Sequence, residues 1–347
     1  MTSHLGTAAV ALTAVLLVGT AAVSYPFADR SAAPAANGVR NGHVVMYWPG
    51  GVLKSDITYR DDAYEGDYRT FYPSGAPYEW RHYVNGHEEG LQQSWAEDGT
   101  LYLNYEVHDG RRYGLVNASP CSIVSDESAG TPRAVRPTTA PSAPEPTSAP
   151  NRRVASSFVA SSLPFYDEAT FTPHWTPVDH RVAAFTLMTE SRTAISNRTL
   201  AGRPYVASFV YTNCAAVCPI LVRQLSRVQE DLGDRARIVS FTVTPDADTP
   251  EVLAAFGHER GIDPSRWSLV TGSKRTIYTL ARTSYFADDS RAGLTPDDER
   301  AFLHSEKLLL VDGNGQLRGI YNGTQPHAVD QLIDDFRTLS TEPASRR

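Results

Sequence analysis

Apolar and polar positions along the chain change their pattern three times. Residues 7–23 are uncharged and almost wholly Ala, Val, Leu, Thr and Gly, with Arg30 the first Lys or Arg. Residues 42–115 show short runs with interleaved aromatics, interrupted by glycine. From residue 184 onward, short continuous apolar runs alternate with amphipathic stretches. About 20 apolar residues span a bilayer, so the first segment sits at the short end of a transmembrane helix. It predicts an export signal or a retained signal anchor within 1–30, with a possible cleavage site at Ala22-Val23-Ser24. No cysteine follows that would take a lipid. The lack of an Arg-rich amphipathic leader points to the periplasmic side of a bacterial inner membrane, with the protein anchored or soluble.

The middle region repeats every 24 residues, with Gly42, Gly66, Gly90 and Gly114 in register. Tyr47, Phe71 and Trp95 follow five places on, and Gly51, Gly75 and Gly99 nine places on. Such a period with turn glycines predicts consecutive β-hairpins, each too small to bury its own face and therefore stacked on the next. Turns are expected at Pro49-Gly50-Gly51, Pro73-Ser74-Gly75, Glu97-Asp98-Gly99, Asn85-Gly86 and Asp109-Gly110. The pattern resembles the MORN-type repeat in its antitoxin-like variant, over 38–121. Its tyrosine-rich surface suits a structural or docking module whose partner the residues do not specify. Residues 122–157 are rich in Pro, Ala, Ser and Thr. That composition predicts an extended spacer and two domains that move independently.

The third region, 158–340, opens with an aromatic segment (163–175) expected to wrap on the domain surface. A hairpin is predicted over 184–187 and 193–195, strands at 206–211, 237–243, 268–270, 307–311 and 317–321, and helices at 215–232, 250–259, 274–282 and 328–339. Asp248-Thr249-Pro250-Glu251 supplies cap candidates, a first-position proline and a first-turn acid. Strands alternating with helices and closed by a hairpin and helix give an α/β fold, a mixed central sheet flanked by helices behind a small all-β hairpin-repeat domain.

A formal charge of -7 without a basic block argues against nucleic acid as a partner. Three cysteines cannot make a disulfide framework; they suit a dithiol plus Cys121. Cys214 and Cys218 follow an apolar strand and the pair Thr212-Asn213. If a helix begins near Cys214, a spacing of four puts both sulfurs on one face, able to bind one metal ion or to close a disulfide. A helix N-terminus favours the thiolate, and Pro219 fits a first turn. Cys121 reads as an inert or separately oxidised thiol, or as a resolving partner.

Cys214-x-x-x-Cys218-Pro219 after an apolar strand is similar to the motif of the Sco/SenC family, copper-binding thioredoxin-like proteins that help assemble the copper centre of cytochrome c oxidase. Thr242-Val243-Thr244-Pro245-Asp246-Ala247-Asp248-Thr249-Pro250-Glu251 resembles the family's post-strand stretch. His304-Ser305 followed by Leu308-Leu309-Leu310-Val311-Asp312 resembles its histidine segment, and Trp267-Ser268-Leu269-Val270-Thr271-Gly272 a further block. These occur in the family's order across roughly 183–336. The resemblance implies the thioredoxin-like version of the fold and copper, as Cu(I) or Cu(II), held by Cys214, Cys218 and His304. It also implies a redox dithiol at Cys214 and Cys218, and as partners the oxidase copper-site subunit, a copper donor and a thiol reductant. Two thiolates and an imidazole suit a soft cation, and Cu(I) accepts three ligands where zinc takes a fourth. The rival reading is a thiol-disulfide reductase acting on exported partner cysteines. The other histidines read as structural, and the scarcity of methionine excludes a methionine-rich relay. Two departures stand out: Thr244 occupies the position of the family's usual acid, for which Asp246 or Asp248 could substitute, and Ala215-Ala216-Val217 lacks the common proline.

Overall fold

The computed structural model describes residues 39–115, 163–213, 218–288, 303 and 305–342. The N-terminal apolar segment, Cys121, the proline-rich spacer, Cys214 and His304 lie outside these residues.

The described chain begins as an antiparallel meander: β1 Gly42–Tyr47, β2 Leu53–Arg60, β3 Ala63–Phe71, β4 Pro77–Val84, β5 His87–Glu88, β6 Gly90–Trp95, β7 Leu101–His108 and β8 Arg111–Leu115. The strands pair in chain order, with β5 joined only to β4. Three turns make the same backbone bonds at intervals of 24 residues. Trp48, Tyr72 and Ala96 N–H groups donate to Val52, Ala76 and Thr100, and Gly51, Gly75 and Gly99 donate back to Trp48, Tyr72 and Ala96. Those three glycines have φ near +85°, where an L side chain is strained. Aromatic contacts run across the strands, as in Tyr59, Tyr64, Tyr68 and Tyr83, whose successive ring centroids lie 5.1–6.0 Å apart.

The C-terminal region is built on a mixed sheet in the order β10-β9-β13-β12-β11-β14-β15. Its strands are β9 Thr186–Thr189, β10 Ala194–Ser196, β11 Tyr205–Val210, β12 Ile238–Thr242, β13 Trp267–Thr271, β14 Lys307–Val311 and β15 Leu317–Asn322. Strands β11, β12 and β13 run parallel and the other pairs antiparallel. Every residue of β11, β12 and β14 is buried, which is why their sequences are continuous apolar runs rather than alternating ones. One face packs on α2 Cys218–Leu232, α3 Pro250–Glu259 and α5 Pro326–Thr341 through Val206, Val210, Leu225, Leu253, Leu310 and Phe336. The other packs on α4 Lys274–Thr279 and the π-helical turn Leu280–Ser284 through Ala207, Phe209, Phe241, Ile277 and Tyr278. A short α1, Asn197–Leu200, is closed by a Ser196–Thr199 capping box. Helix α3 has the expected bounds, with the Thr249 hydroxyl accepting from the Val252 N–H and Pro250 at its start. The third predicted helix, 274–282, departs from α geometry at Leu280, where it becomes the π turn.

Two expectations are overturned. The segment 163–175 does not wrap on the surface: Leu163, Tyr166 and Phe171 are at most 1% exposed and belong to the core. The buried guanidinium of Arg318 donates to the Leu163 and Pro164 carbonyls at 2.9 and 3.1 Å and fixes the segment there. Nor are the two regions independent. Asn104 Nδ2 donates to the Thr170 carbonyl at 2.8 Å and to Thr172 Oγ1 at 3.0 Å. Trp175 Nε1 donates to Glu106 at 3.0 Å while its ring stacks on His108. Arg111 reaches the fully buried Asp335 at 2.6 Å, and the Tyr321 hydroxyl donates to the same carboxylate at 2.8 Å. Burial pushes the Asp335 carboxyl up, while Tyr321 and Arg111 draw it back down. The spacer's composition says nothing about contacts made by the elements on either side of it, so the sequence-based inference of independence failed.

Candidate metal centre

Strand β11 is the axis of the site. It is buried on both faces, so it fixes the direction in which the chain leaves Val210 toward Tyr211, Thr212 and Asn213. The described chain resumes at Cys218, half-buried at the start of α2, with exposed Pro219 beside it. The α2 N-terminus thus follows the carboxyl end of β11, and the positive end of a helix dipole favours a thiolate. Cys214 lies outside the described residues.

The histidine segment approaches from the neighbouring strand. β14 pairs antiparallel with β11, Tyr205 opposite Val311 and Ala207 opposite Leu309, so its Lys307 end adjoins the carboxyl end of β11. Leu303 is 1% exposed and Ser305 accepts from the Lys307 N–H at 3.2 Å. His304 itself lies outside the described residues. Gly323 ties this side to the cysteine helix. Its N–H donates to the Glu306 carbonyl at 2.7 Å, and a Cβ there would fall 2.3 Å from Leu221 Cδ1 and 3.0 Å from Glu306 O. Leu221 is one residue short of a full turn beyond Cys218, so the absence of a side chain at Gly323 lets the two segments approach.

Asp248 is the residue that sequence reasoning left undecided. It is 2% exposed, and its carboxylate accepts from the hydroxyls of Thr212 (2.5 Å), Thr242 and Thr244 (2.9 Å). Asp246, the other acid considered, is exposed. Asp248 thus clamps the residue two places before Cys214, and Thr244 serves it as a donor. The clue in the sequence was three threonines within reach of one acid, which becomes legible only when β11 and β12 are known to be parallel neighbours. Thr212→Val should lower stability by about 1.5–3 kcal/mol, the range for a hydrogen bond to a charged group. Urea unfolding checks this, and an unchanged midpoint would contradict the clamp.

Beside the histidine segment, Lys307 is 9% exposed, with its ammonium 5.8 Å from the Phe171 ring centroid. Burial pushes its pKa down from 10.5 to about 8, and Asp288, itself 2.6 Å from Arg282, works in the opposite direction. A lysine whose folded pKa is depressed costs stability below that value, so stability should rise from pH 8 toward 10.5 as the folded state sheds the proton first. Lys307→Met should therefore gain about 1–3 kcal/mol at pH 7 and lose that alkaline rise, at roughly 1.4 kcal/mol per pKa unit as an upper limit. Urea midpoints of both proteins at pH 7 and pH 9.5 check it, and parallel pH profiles would contradict it.

The C-terminal half of the chain is similar to known proteins. Residues 176–340 match the SCO1/SenC family model. The SCO1/SenC-like domain is 28% identical over 169 residues to the SCO1 protein homolog of Bacillus subtilis, covering 48% of this chain and 86% of that protein. A solved structure of BsSco, described as a member of the Sco family of cytochrome c oxidase assembly proteins with a disulfide switch, is 27% identical. It covers 48% of this chain and 98% of that one, with a TM-score of 0.41. ScoI of Bradyrhizobium japonicum, solved with copper bound, is 21% identical over 45% of this chain and 99% of that one, with a TM-score of 0.37. Among the described residues no helix is long and apolar enough to cross a membrane.

Proposed function

We propose that this chain is an exported copper metallochaperone whose C-terminal domain binds Cu(I) through Cys214, Cys218 and His304 and delivers it to the copper-site subunit of cytochrome c oxidase. The observation that carries this reading is the antiparallel pairing of β11 with β14, which leads the cysteine segment and the histidine segment toward the same end of one sheet. The SCO1/SenC match over 176–340 supports it. Copper here is cargo. Two thiolates and a neutral imidazole form a soft, three-donor set that suits Cu(I) and leaves a softer or fourth donor on the acceptor to complete ligand exchange. The thiols must be reduced and deprotonated to bind, so loading releases protons and requires a reductant. The N-terminal segment serves as signal or anchor, and the 24-residue period as a MORN-type docking module.

A second reading is favoured by Cys218 at the entrance of α2, where a thiolate is stabilised: the dithiol reduces a disulfide in the acceptor, one cysteine attacking and the other resolving. The deciding experiment titrates the reduced full chain with Cu(I) against a chromophoric chelator. One tightly held Cu(I) per chain, lost on oxidation of the dithiol, is expected. No binding, together with a potential low enough to reduce partner disulfides, would replace the chaperone by the reductase.

A further inference from the structure

Strand β1 is the open edge of the N-terminal sheet. Among the described residues it pairs with β2 alone, whereas its counterparts one and two periods on, β3 and β6, are flanked on both sides. An edge strand in water is ordinarily guarded by charge, proline or brevity. Here the order is reversed. The interior counterparts read Asp67-Tyr68-Arg69-Thr70 and Leu91-Gln92-Gln93-Ser94, while the edge reads His43-Val44-Val45-Met46 within six residues that carry no acid, lysine or arginine. The Tyr47 ring at its end is 55% exposed. The other sheet ends are closed: β8 is tied to the C-terminal region through Arg111 and Asp335, Tyr166 bridges to Leu317 of β15, and β10 is only three residues long. Nor does the chain entering β1 run along the open edge. Arg40 N–H donates to the Asp62 carboxylate at 2.9 Å, Asp62 N–H to the Arg40 carbonyl at 3.0 Å and Asp61 N–H to the Asn41 side chain at 2.8 Å. Residues 40–41 are thereby drawn across the β2–β3 turn toward β3, away from that edge.

We propose that β1 is a homodimer interface, two copies of the chain joining edge to edge so that their N-terminal sheets become one continuous sheet. In antiparallel strands related by a twofold axis, directly opposed side chains share a face, so the axis passes through a residue and not between two. Placed at Val45, it sets Val45 against its own copy, Val44 against Met46 and His43 against Tyr47. Apolar then meets apolar on both faces, and the exposed Tyr47 ring gains as neighbour an imidazole already held by the Asp56 carboxylate. An axis at Val44 would leave Tyr47 outside the strand pair. No side-chain charge of β1 is buried, and the same patch serves both copies, so assembly closes at two. Metal binding plays no part in it.

The test is sedimentation equilibrium of the full chain in detergent, at concentrations on the order of 1–100 μM. A reversible monomer–dimer equilibrium is expected. Val45→Lys places like charges opposite each other at the axis and should raise the dissociation constant at least about tenfold. Leu91→Lys adds the same charge at an exposed apolar position of the interior strand β6 and should leave it unchanged. Val45→Cys should give a disulfide-linked dimer on oxidation with diamide, because opposed residues lie about 4.5–5.5 Å apart at Cα, within disulfide reach. The unmodified chain, treated alongside, controls for its native cysteines. Being close to valine in size, the cysteine variant also keeps the test available should Val45→Lys fold poorly. A chain that stays monomeric throughout, as it would if its own residues 1–38 covered the edge, would overturn the proposal. So would a dimer that Val45→Lys leaves intact, or one in which Val45→Cys links no more than the unmodified chain.

Discussion

Gly114→Val is expected to unseat the N-terminal sheet from the C-terminal domain and to destabilise the full chain by about 3–5 kcal/mol. At φ +120° the position strains any L side chain, and a Cβ would lie 2.5 Å from the Asn104 carbonyl oxygen and 3.1 Å from that of Phe171. Neither neighbour is a flexible side-chain tip, so the clash falls on backbone at the seam between the two regions. At Gly66 and Gly90, equivalent in the 24-residue period, a Cβ would meet nothing within 4 Å. Gly66→Ala should therefore cost only the backbone strain, about 1–2 kcal/mol. Calorimetry of the two variants checks the contrast, and equal losses would mean that the seam contributes no more than a surface turn. A consequence follows for truncation. Removing the N-terminal sheet strips Arg111 from Asp335, Glu106 from Trp175 and Asn104 from Thr170, so the shortened protein loses stability as well as any docking role.

The second large effect concerns the dithiol. Cys218→Ser and Cys214→Ser should each weaken Cu(I) binding by roughly a thousandfold, about 4 kcal/mol, because a serine oxygen is a hard and scarcely ionised replacement for a soft thiolate. His304→Ala should weaken it by roughly a hundredfold, since the remaining two thiolates still make a competent linear pair for Cu(I). Chelator competition on the three variants checks the ranking. A His304→Ala loss as large as either serine loss would mean that the imidazole is no third partner to an otherwise sufficient dithiol.

Most of the C-terminal fold was legible because its strands are buried on both sides. Continuous apolar runs such as 206–210 and 307–311 can hardly be anything but central strands, and Thr249-Pro250-Glu251 marks a helix start by local chemistry alone. The thioredoxin-like version of the fold came from the resemblance rather than from any pattern in the chain, and the pairing of β11 with β14 came only from the structure. What stayed hidden depends on long-range proximity. Asp248 became a clamp only when β12 was set beside β11. Leu163 and Phe171 read as surface wrapping because an aromatic segment without periodicity does not reveal what it packs on. Phe171 even adopts a left-handed backbone, φ +53°, which no propensity would assign to it. The seam between the regions was misjudged for the same reason: the spacer was visible, whereas Asn104, Arg111 and Trp175 are ordinary polar and aromatic residues until their partners are known.

X-ray absorption on the Cu(I)-loaded full chain and on His304→Ala addresses the central claim directly. The account predicts a shell of two sulfurs and one nitrogen in the natural sequence, reduced to sulfur alone or sulfur with a replacement light atom at altered distance in the variant. An identical first shell in both proteins would contradict it.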